Sequence, residues 1–267
     1  MQRTVTADLS LQATAPARLV LAVAVARCPG LEINEHLQIS AGDQTLQAQE
    51  VATAHHGVRH VVDLPAGDVT IHYDATVEGV EEYDDEGVAE QLNHLVPSRY
   101  AESDALFGTA AELFDGRSGS DLVIGVADWV RGRTAYISGS SRPTDGAINT
   151  FLQRTGVCRD FAHLTVAALR SRDVPARLVA VYAPGLSPMD FHAVAEAYVD
   201  EQWWCLDATG LAPRQSLLRI ATGRDAADTS FMSVYGGQVT LGGIEVTATM
   251  QPALPLDNHT GMVQLGR

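Results

Sequence analysis

The sequence contains no lysine, because all 18 of its basic residues are arginines in a chain of 267 residues. A catalytic Schiff base on a lysine is therefore excluded, as is attachment of the chain to other proteins through its own lysine side chains. The formal net charge of −15 argues against binding to nucleic acids or anionic membranes, since both require clustered positive charge. We predict neither kind of partner.

Cysteine is also scarce, with only Cys28, Cys158 and Cys205, which lie far apart in the sequence. An odd and sparse count is typical of free thiols in a reducing compartment rather than of a disulfide framework. No uncharged apolar run approaches the about 18 residues of a membrane span. The apolar run 19–26 starts too late for a secretory signal and follows an acidic residue. We predict a cytoplasmic protein, and the sequence indicates no particular oligomeric state.

Alternating apolar and polar residues predict strands in the first eighty residues. The alternation at 4–11 and at 69–77 has the period of two of a half-buried strand, and 18–27 predicts a more buried one. Turn signals between these segments favour an antiparallel arrangement. We therefore predict an N-terminal β-sandwich domain over residues 1–80.

The N-terminal region also contains three close histidines, His55, His56 and His60. Because no cysteine or spaced carboxylate lies near them in sequence, we interpret them as surface or strand histidines. The acidic run 81–86 is interpreted as a solvated linker, since a calcium loop would have glycine and ligands at alternate positions. We predict no metal site and no cofactor.

Residues 81–267 are predicted to form a second domain of helices and strands. Apolar periodicity indicates helices near 104–114 and 122–130, and a polar stretch over 133–146 predicts a long loop that runs toward a functional site. Strands are predicted at 177–182, 191–199 and 203–209. A last strand at 244–250 is expected at an edge of the sheet of this second domain.

Cys158 lies at the predicted start of a helix, with Thr155 as the expected N-cap and an apolar helical face behind it. The unpaired amides and the positive dipole end of a first helical turn favour a thiolate. The same amides, including the N–H of Cys158, are able to stabilise an oxyanion. A helix start alone is equally compatible with a small buried cysteine.

His192 and Asp207 give Cys158 the partners of a thiol nucleophile. His192 begins a predicted strand directly after a loop, so its ring can face a helix terminus, and it would form a thiolate–imidazolium pair with Cys158. Asp207 lies fifteen positions later on the next strand, where its carboxylate can orient the imidazole.

Nearby residues have structural interpretations. His163 lies five positions after Cys158 on the same helix and is expected to point elsewhere and to make a structural hydrogen bond. Cys205 has neither a helix start nor a base of its own. Of Trp203 and Trp204, which alternate on their strand, one is expected in the core and the other in the wall of the acyl cleft.

Taken together, these segments resemble the bacterial transglutaminase-like superfamily. The segments that carry the resemblance are 156–164 (GVCRDFAHL), 174–177 (VPAR), 191–193 (FHA) and 204–209 (WCLDAT), with 97–104 (PSRYAESD) and 223–228 (GRDAAD) similar to its two-domain members. The resemblance implies an α+β fold in which the N-terminal antiparallel β-sandwich precedes a papain-like transglutaminase core, with helices packed on an antiparallel sheet.

The resemblance also implies roles for individual residues. Cys158 is implied to be the nucleophile, His192 the general base and acid, and Asp207 the residue that orients His192. Gln153 lies in the region where papain-like enzymes place a side-chain donor for the oxyanion, and Asp160 is expected to support the helix start. The chain departs from the family where alanine and valine follow His192 and where alanine, not proline, follows Asp207.

We therefore predict a cysteine-dependent acyl-transfer enzyme that acts on amide or isopeptide bonds of a peptide or protein substrate through a thioester. Hydrolysis, as in a thiol protease or amidase, is favoured because nothing in the sequence indicates a dedicated amine channel. A protein-glutamine transglutaminase is the alternative with the same chemistry. A non-catalytic peptide-binding or assembly module with the same fold is the alternative from another class.

Overall fold

The computed structural model describes residues 1–82 and 87–267. The predicted linker 81–86 therefore lies mostly outside the described residues. The first part of the chain is all strand: β1 (Gln2–Ala13), β2 (Ala17–Leu21), β3 (Leu31–Ala41), β4 (Gln44–Leu46), β5 (Gln49–Ala52), β6 (Val58–Leu64) and β7 (Gly67–Gly79).

The second part mixes helices and strands. Its helical half contains α1 (Gly87–Asn93), α2 (Ser103–Leu113), α3 (Gly119–Arg133), β8 (Ala135–Tyr136), α4 (Ala147–Gln153), β9 (Thr155–Gly156) and α5 (Cys158–Arg170). The remaining elements are β10 (Ala176–Tyr182), β11 (Phe191–Val199), β12 (Gln202–Leu206), a 3₁₀ turn (Arg214–Ser216), β13 (Leu218–Gly223), α6 (Ala226–Thr229), β14 (Met232–Tyr235) and β15 (Val239–Gln251).

Two antiparallel sheets form the predicted sandwich. One has the strand order β15-β1-β7-β3-β4, and the other has the order β14-β2-β6-β5. The alternation in β1 has the expected effect, since Val5, Ala7 and Leu9 are buried in the space between the sheets. The predicted N-terminal β-sandwich is confirmed.

The sandwich takes one strand of each sheet from the C-terminal part of the chain. β15 pairs with β1 from Gln2 opposite Gln251 to Ala13 opposite Val239, and β14 pairs with β2. The prediction that the last strand lies on the sheet of the second domain is therefore wrong. Alternation determines that a strand forms and which face is apolar, but it does not determine the partner strand. The division of the chain at residue 80 into two domains stays a prediction.

The second part packs helices on an antiparallel sheet, as expected. The sheet has the order β12-β11-β10-β13. Helix α5 lies against it with α2 and α3, and their shared core includes Val126, Leu164, Ala195 and Ala197. Of the helices in the described residues, none is long and apolar enough to cross a membrane.

A buried ionic network joins the end of the sandwich to this sheet. The Glu196 carboxylate on β11 accepts hydrogen bonds from Arg177 Nε on β10 (2.7 Å) and from Arg219 Nη2 on β13 (2.7 Å). Arg219 Nε also donates to Glu81 Oε1 (2.9 Å), just beyond β7. Glu81 is only 5% exposed, so the solvated linker expected at this position is wrong for Glu81. Burial raises the pKa of Glu81, and the charge of Arg219 beside it acts in the opposite direction.

Burial acts to raise the pKa of Glu196, but the charges of Arg219 and Arg177 outweigh it and hold that pKa well below its usual range. A carboxylate whose pKa is depressed on folding stabilises the folded state above its unfolded pKa, near 4.5, and loses this effect as the pH falls toward the folded value. The network should therefore contribute fully at neutral pH.

We expect Glu196→Gln to lower the free energy of unfolding at pH 7 by about 3–5 kcal/mol, because it removes the buried negative charge that Arg177 and Arg219 share. Urea denaturation followed by circular dichroism measures the change. The matched control is Asp63→Asn, which removes an equally short but exposed pair with Arg18 (2.8 Å) and should leave the midpoint unchanged. An unchanged midpoint for Glu196→Gln would contradict this account.

Candidate active site

Cys158 is the first residue of α5, and its side chain is partly exposed. Val157 is the N-cap residue in extended conformation, so the expected N-cap at Thr155 is wrong. Thr155 instead belongs to β9, which pairs in parallel with β8. This short pairing carries the chain directly into the helix, which places the thiol in the first turn as predicted.

Asp160 fixes the helix start. Its Oδ2 accepts a hydrogen bond from the backbone N–H of Val157 (2.8 Å) and another from Ser141 Oγ, and its side chain is fully buried. A Cβ on Gly156 would lie 2.6 Å from Cβ of Asp160, which explains why glycine precedes Val157. Ser141 belongs to the polar loop at 133–146, so that loop does run to the helix start. Support of the site by Asp160 agrees with these contacts and stays a prediction.

His192 and Asp207 form a buried pair. His192 Nε2 and Asp207 Oδ2 are 3.0 Å apart, and both residues are 2% exposed. His192 is the second residue of β11, while Asp207 comes directly after β12 rather than on it. Because Nε2 faces Asp207, the nitrogen that remains for the thiol is Nδ1. The Cys158 thiol lies close enough to His192 to raise the pKa of the imidazole.

The Asp207 carboxylate is held by a residue that the sequence argument did not assign. Thr209 donates to Asp207 Oδ1 through its backbone N–H (2.9 Å) and through its hydroxyl (2.6 Å). One carboxylate oxygen is thus fixed by Thr209 while the other faces His192. The signal was local, since threonine two positions after aspartate is able to close an Asx turn.

Opposite charges dominate the electrostatics of the pair. Burial would lower the pKa of His192, but the Asp207 carboxylate and the Cys158 thiol outweigh it and raise that pKa to about 10. Burial would likewise raise the pKa of Asp207, yet His192 and Thr209 lower it to about 2. At neutral pH the arrangement therefore favours an imidazolium beside an ionised carboxylate.

Tyr136 is a further neighbour of the thiol that sequence reasoning missed. It lies on β8, and its hydroxyl interacts with both the backbone and the side chain of Cys158. Burial, and next the Cys158 thiol, raise the pKa of Tyr136 to about 12, so the hydroxyl keeps its proton and can donate it. Only the parallel pairing of β8 with β9 brings this residue to the helix start.

A cavity of about 690 Å³ opens over Cys158 and His192. Its wall combines the sheet that carries His192 with the C-terminal strands of the sandwich. Apolar side chains that line it include Leu178, Phe191, Ile220, Phe231, Leu241 and Ile244. Besides the His192 imidazolium, the charged side chains that line it in the described part of the chain are Arg159 and Asp190. The cavity is thus suited to apolar groups next to the thiol.

Other predicted residues lie away from this cavity. Gln153 is exposed at the C-terminal end of α4 and does not line the cavity, so its predicted role as oxyanion donor has no contact to support it. His163 accepts a hydrogen bond from the Ala226 N–H (3.1 Å), the structural contact that was expected. Trp204 does not line the cavity either; its Nε1 donates to Val199 O (3.0 Å), so the expected cleft wall of tryptophan is wrong.

His55 and His60, two of the three close histidines in the N-terminal sequence, lie beside different carboxylates. His60 Nε2 lies 3.9 Å from Glu50, whereas His55 Nε2 lies 3.0 Å from Glu90 on α1. His55, Glu90 and His94 form a group whose ligand-type atoms all lie within 4.8 Å of one another. Sequence reasoning missed this group because two of its members follow the predicted linker.

Comparison with known proteins agrees with this geometry. Residues 112–208, which include all three predicted triad residues, match the model of the transglutaminase-like superfamily. A Cytophaga hutchinsonii protein, whose crystal structure is that of a "Putative Cysteine Protease", is 30% identical to the chain. The similarity covers 98% of this chain and 96% of that one, with a TM-score of 0.88.

Two mycobacterial relatives match a smaller part of the chain. The uncharacterized protein ML0607 of Mycobacterium leprae is 30% identical over 130 residues, and Rv2569c of Mycobacterium tuberculosis is 33% identical over 108 residues. These matches cover 43% and 35% of this chain, and they span 45% and 34% of the length of those relatives.

The matched family model and the similarity to the Cytophaga hutchinsonii protein over nearly the whole chain indicate a cysteine-dependent enzyme. This chain belongs to the transglutaminase-like superfamily.

Proposed function

We propose that the protein is a cysteine peptidase or amidase that hydrolyses amide or isopeptide bonds of peptide or protein substrates. The observation that carries the proposal is the buried His192–Asp207 pair beside a thiol at a helix start, with Cys158 and His192 lining an open cavity. The name of the Cytophaga hutchinsonii protein supports the protease form of this activity.

In the first half of the proposed reaction, Cys158 Sγ attacks the carbonyl carbon of the scissile amide. His192, which holds the proton of the thiol, delivers it to the departing nitrogen, so the amine leaves neutral and a thioester remains. The developing oxyanion forms next to the Cys158 backbone N–H, and the Tyr136 hydroxyl, which interacts with Cys158, is a candidate for a second donor.

In the second half, water attacks the thioester carbonyl. His192 takes a proton from that water, the C–S bond breaks, and the carboxylic acid leaves as the Cys158 thiolate and the His192 imidazolium are restored. Asp207 stabilises the imidazolium in both halves and holds the ring with Nδ1 toward the thiol. The apolar wall of the cavity would accommodate apolar side chains of the substrate beside the scissile bond.

The Asp207→Asn variant tests whether the pair activates the thiol. Without the carboxylate charge, burial should prevail and lower the pKa of His192 from about 10, so that the imidazolium beside Cys158 is lost at neutral pH. We expect the rate of iodoacetamide labelling of Cys158 at pH 7 to fall by at least about 10-fold, the equivalent of one pKa unit. In the unchanged protein the pair should persist at neutral pH and disappear only as the pH rises through about 10.

Two controls accompany this measurement. Asp190→Asn removes an exposed carboxylate from the same cavity and should leave the labelling rate nearly unchanged. Cys28 and Cys205 serve as internal references, because burial raises the pKa of each, to about 12 for Cys28. If Cys158 is labelled no faster than these two thiols, the activated nucleophile is refuted, and a binding module becomes the better account.

Hydrolysis is distinguished from cross-linking with a peptide library incubated with and without a labelled primary amine. We expect new amino termini by mass spectrometry, the same amount of cleavage in both conditions, and no incorporated amine. Cys158→Ala should abolish cleavage because the nucleophile is gone, while circular dichroism shows the fold retained.

Each other outcome selects a different function. Release of ammonia from glutamine peptides together with incorporation of the amine would establish a transglutaminase. Fast labelling of Cys158 without cleavage or incorporation of any peptide in the library would contradict the proposed peptidase activity on such substrates.

A further inference from the structure

His55, Glu90 and His94 lie away from the cavity of Cys158 and have no part in the proposed reaction. Glu90 Oε1 lies 3.0 Å from His55 Nε2 and also lies against His94 Nε2. The three side chains are 9%, 19% and 2% exposed, respectively. One carboxylate oxygen is therefore placed between two imidazole nitrogens in a largely buried position.

The local structure on both sides holds these side chains in place. Glu90 and His94 are four residues apart on α1 and the turn that ends it, so they lie on the same helical face. His55 occupies a tight turn between β5 and β6, closed by a hydrogen bond from the Gly57 N–H to Ala54 O (3.2 Å).

The turn itself is unusual. His55 and His56 both have positive φ, 54° and 60°, in a position where glycine or asparagine is the usual residue. A pair of non-glycine residues held in this conformation costs free energy, and such costs concentrate at functional sites.

We propose that His55, Glu90 and His94 bind a divalent transition-metal ion, for which zinc is the best match. Two imidazoles and one carboxylate are a ligand set that zinc accepts at about 2.0–2.2 Å per bond. Two atoms bound to one ion at that distance lie roughly 3.3–3.6 Å apart in tetrahedral geometry. His55 Nε2 and Glu90 Oε1 are 3.0 Å apart, so they would separate by only a few tenths of an ångström to bind the ion. Calcium and magnesium do not fit, since both take oxygen ligands.

Two observations favour a bound ion over a simple hydrogen-bonded triad. His94 Nδ1 has no hydrogen-bond partner within the described residues, and His94 Nε2 meets the Glu90 carboxylate at a distance too short for a regular hydrogen bond, although the residue is 2% exposed. Two surface cavities of about 410 and 590 Å³ also meet at His55 and Glu90, which line both. They provide a path for the ion and room for a water molecule as the fourth ligand.

Metal binding would change one contact of His55. Its Nδ1 lies 3.4 Å from Arg177 Nη1, a contact at the long limit of a hydrogen bond. With Nε2 on the metal, Nδ1 carries the proton and this contact is lost. Arg177 retains its shorter bond to Glu196 (2.7 Å) and its stacking on Trp203 (3.9 Å from the ring centroid).

The ion would link the two parts of the chain. His55 belongs to a turn of the sandwich, whereas Glu90 and His94 belong to the first helix after it. A metal that binds only the folded arrangement stabilises it by mass action, so zinc should raise the melting temperature.

The test uses the Cys158→Ala protein throughout, so that the thiol and His192 cannot hold zinc between them. After removal of metal with a chelator, zinc is titrated by isothermal calorimetry, and cobalt is used as a spectroscopic probe of the coordination geometry. We expect one ion per chain, a tetrahedral cobalt spectrum, and a higher melting temperature with zinc.

Matched variants locate the ion. His55→Asn and Glu90→Gln each remove one ligand with little change of shape. Each should reduce zinc affinity by more than about 100-fold, because mutation of a residue that only hydrogen-bonds to a ligand already costs up to about that much. His56→Asn changes the neighbouring histidine of the same turn and should keep both affinity and stabilisation. The proposal is refuted if the Cys158→Ala protein binds no stoichiometric zinc, or if His55→Asn and Glu90→Gln bind it as tightly as His56→Asn.

Discussion

The way in which the two parts of the chain pack together depends on the pairing of buried charges on the sheet that carries His192. Glu196 compensates Arg177 and Arg219 within the sheet, and Arg219 reaches Glu81 at the end of the sandwich. None of these groups could be buried without the others, because an isolated charge in the interior costs several kcal/mol. The network therefore fixes how the sandwich meets the sheet that carries His192.

Local patterns were sufficient to predict most elements of the fold and the approach of His192 to Asp207. The strands β1 and β7 follow from the period of two in their side chains alone. Cys158 at a helix start is equally local. The approach of His192 to Asp207 required only that consecutive strands pair in antiparallel fashion, which is the commonest arrangement.

What the sequence did not reveal depends on contacts between distant segments. The partner of β15 is β1, and the hydrogen bond between Thr6 and Thr247 spans 241 positions. Glu81 looked solvated because its counter-charge, Arg219, lies 138 positions away. Tyr136 reaches Cys158 through a pairing of two residues per strand, too short to leave a pattern. Gln153 is near Cys158 in sequence but does not line the cavity, so its role stays a prediction.

The pairing of β1 with β15 also determines the order in which the molecule can be completed during synthesis. At about 5–20 residues per second, the ribosome needs roughly 10–50 s to make the 241 positions between Thr6 and its partner. Throughout that time the outer edge of β1 has no strand beside it, so the nascent chain exposes a site for wrong pairing. Leu241 and Ile244 of β15 also line the cavity over Cys158, so the thiol and its partners are translated before their cavity is closed.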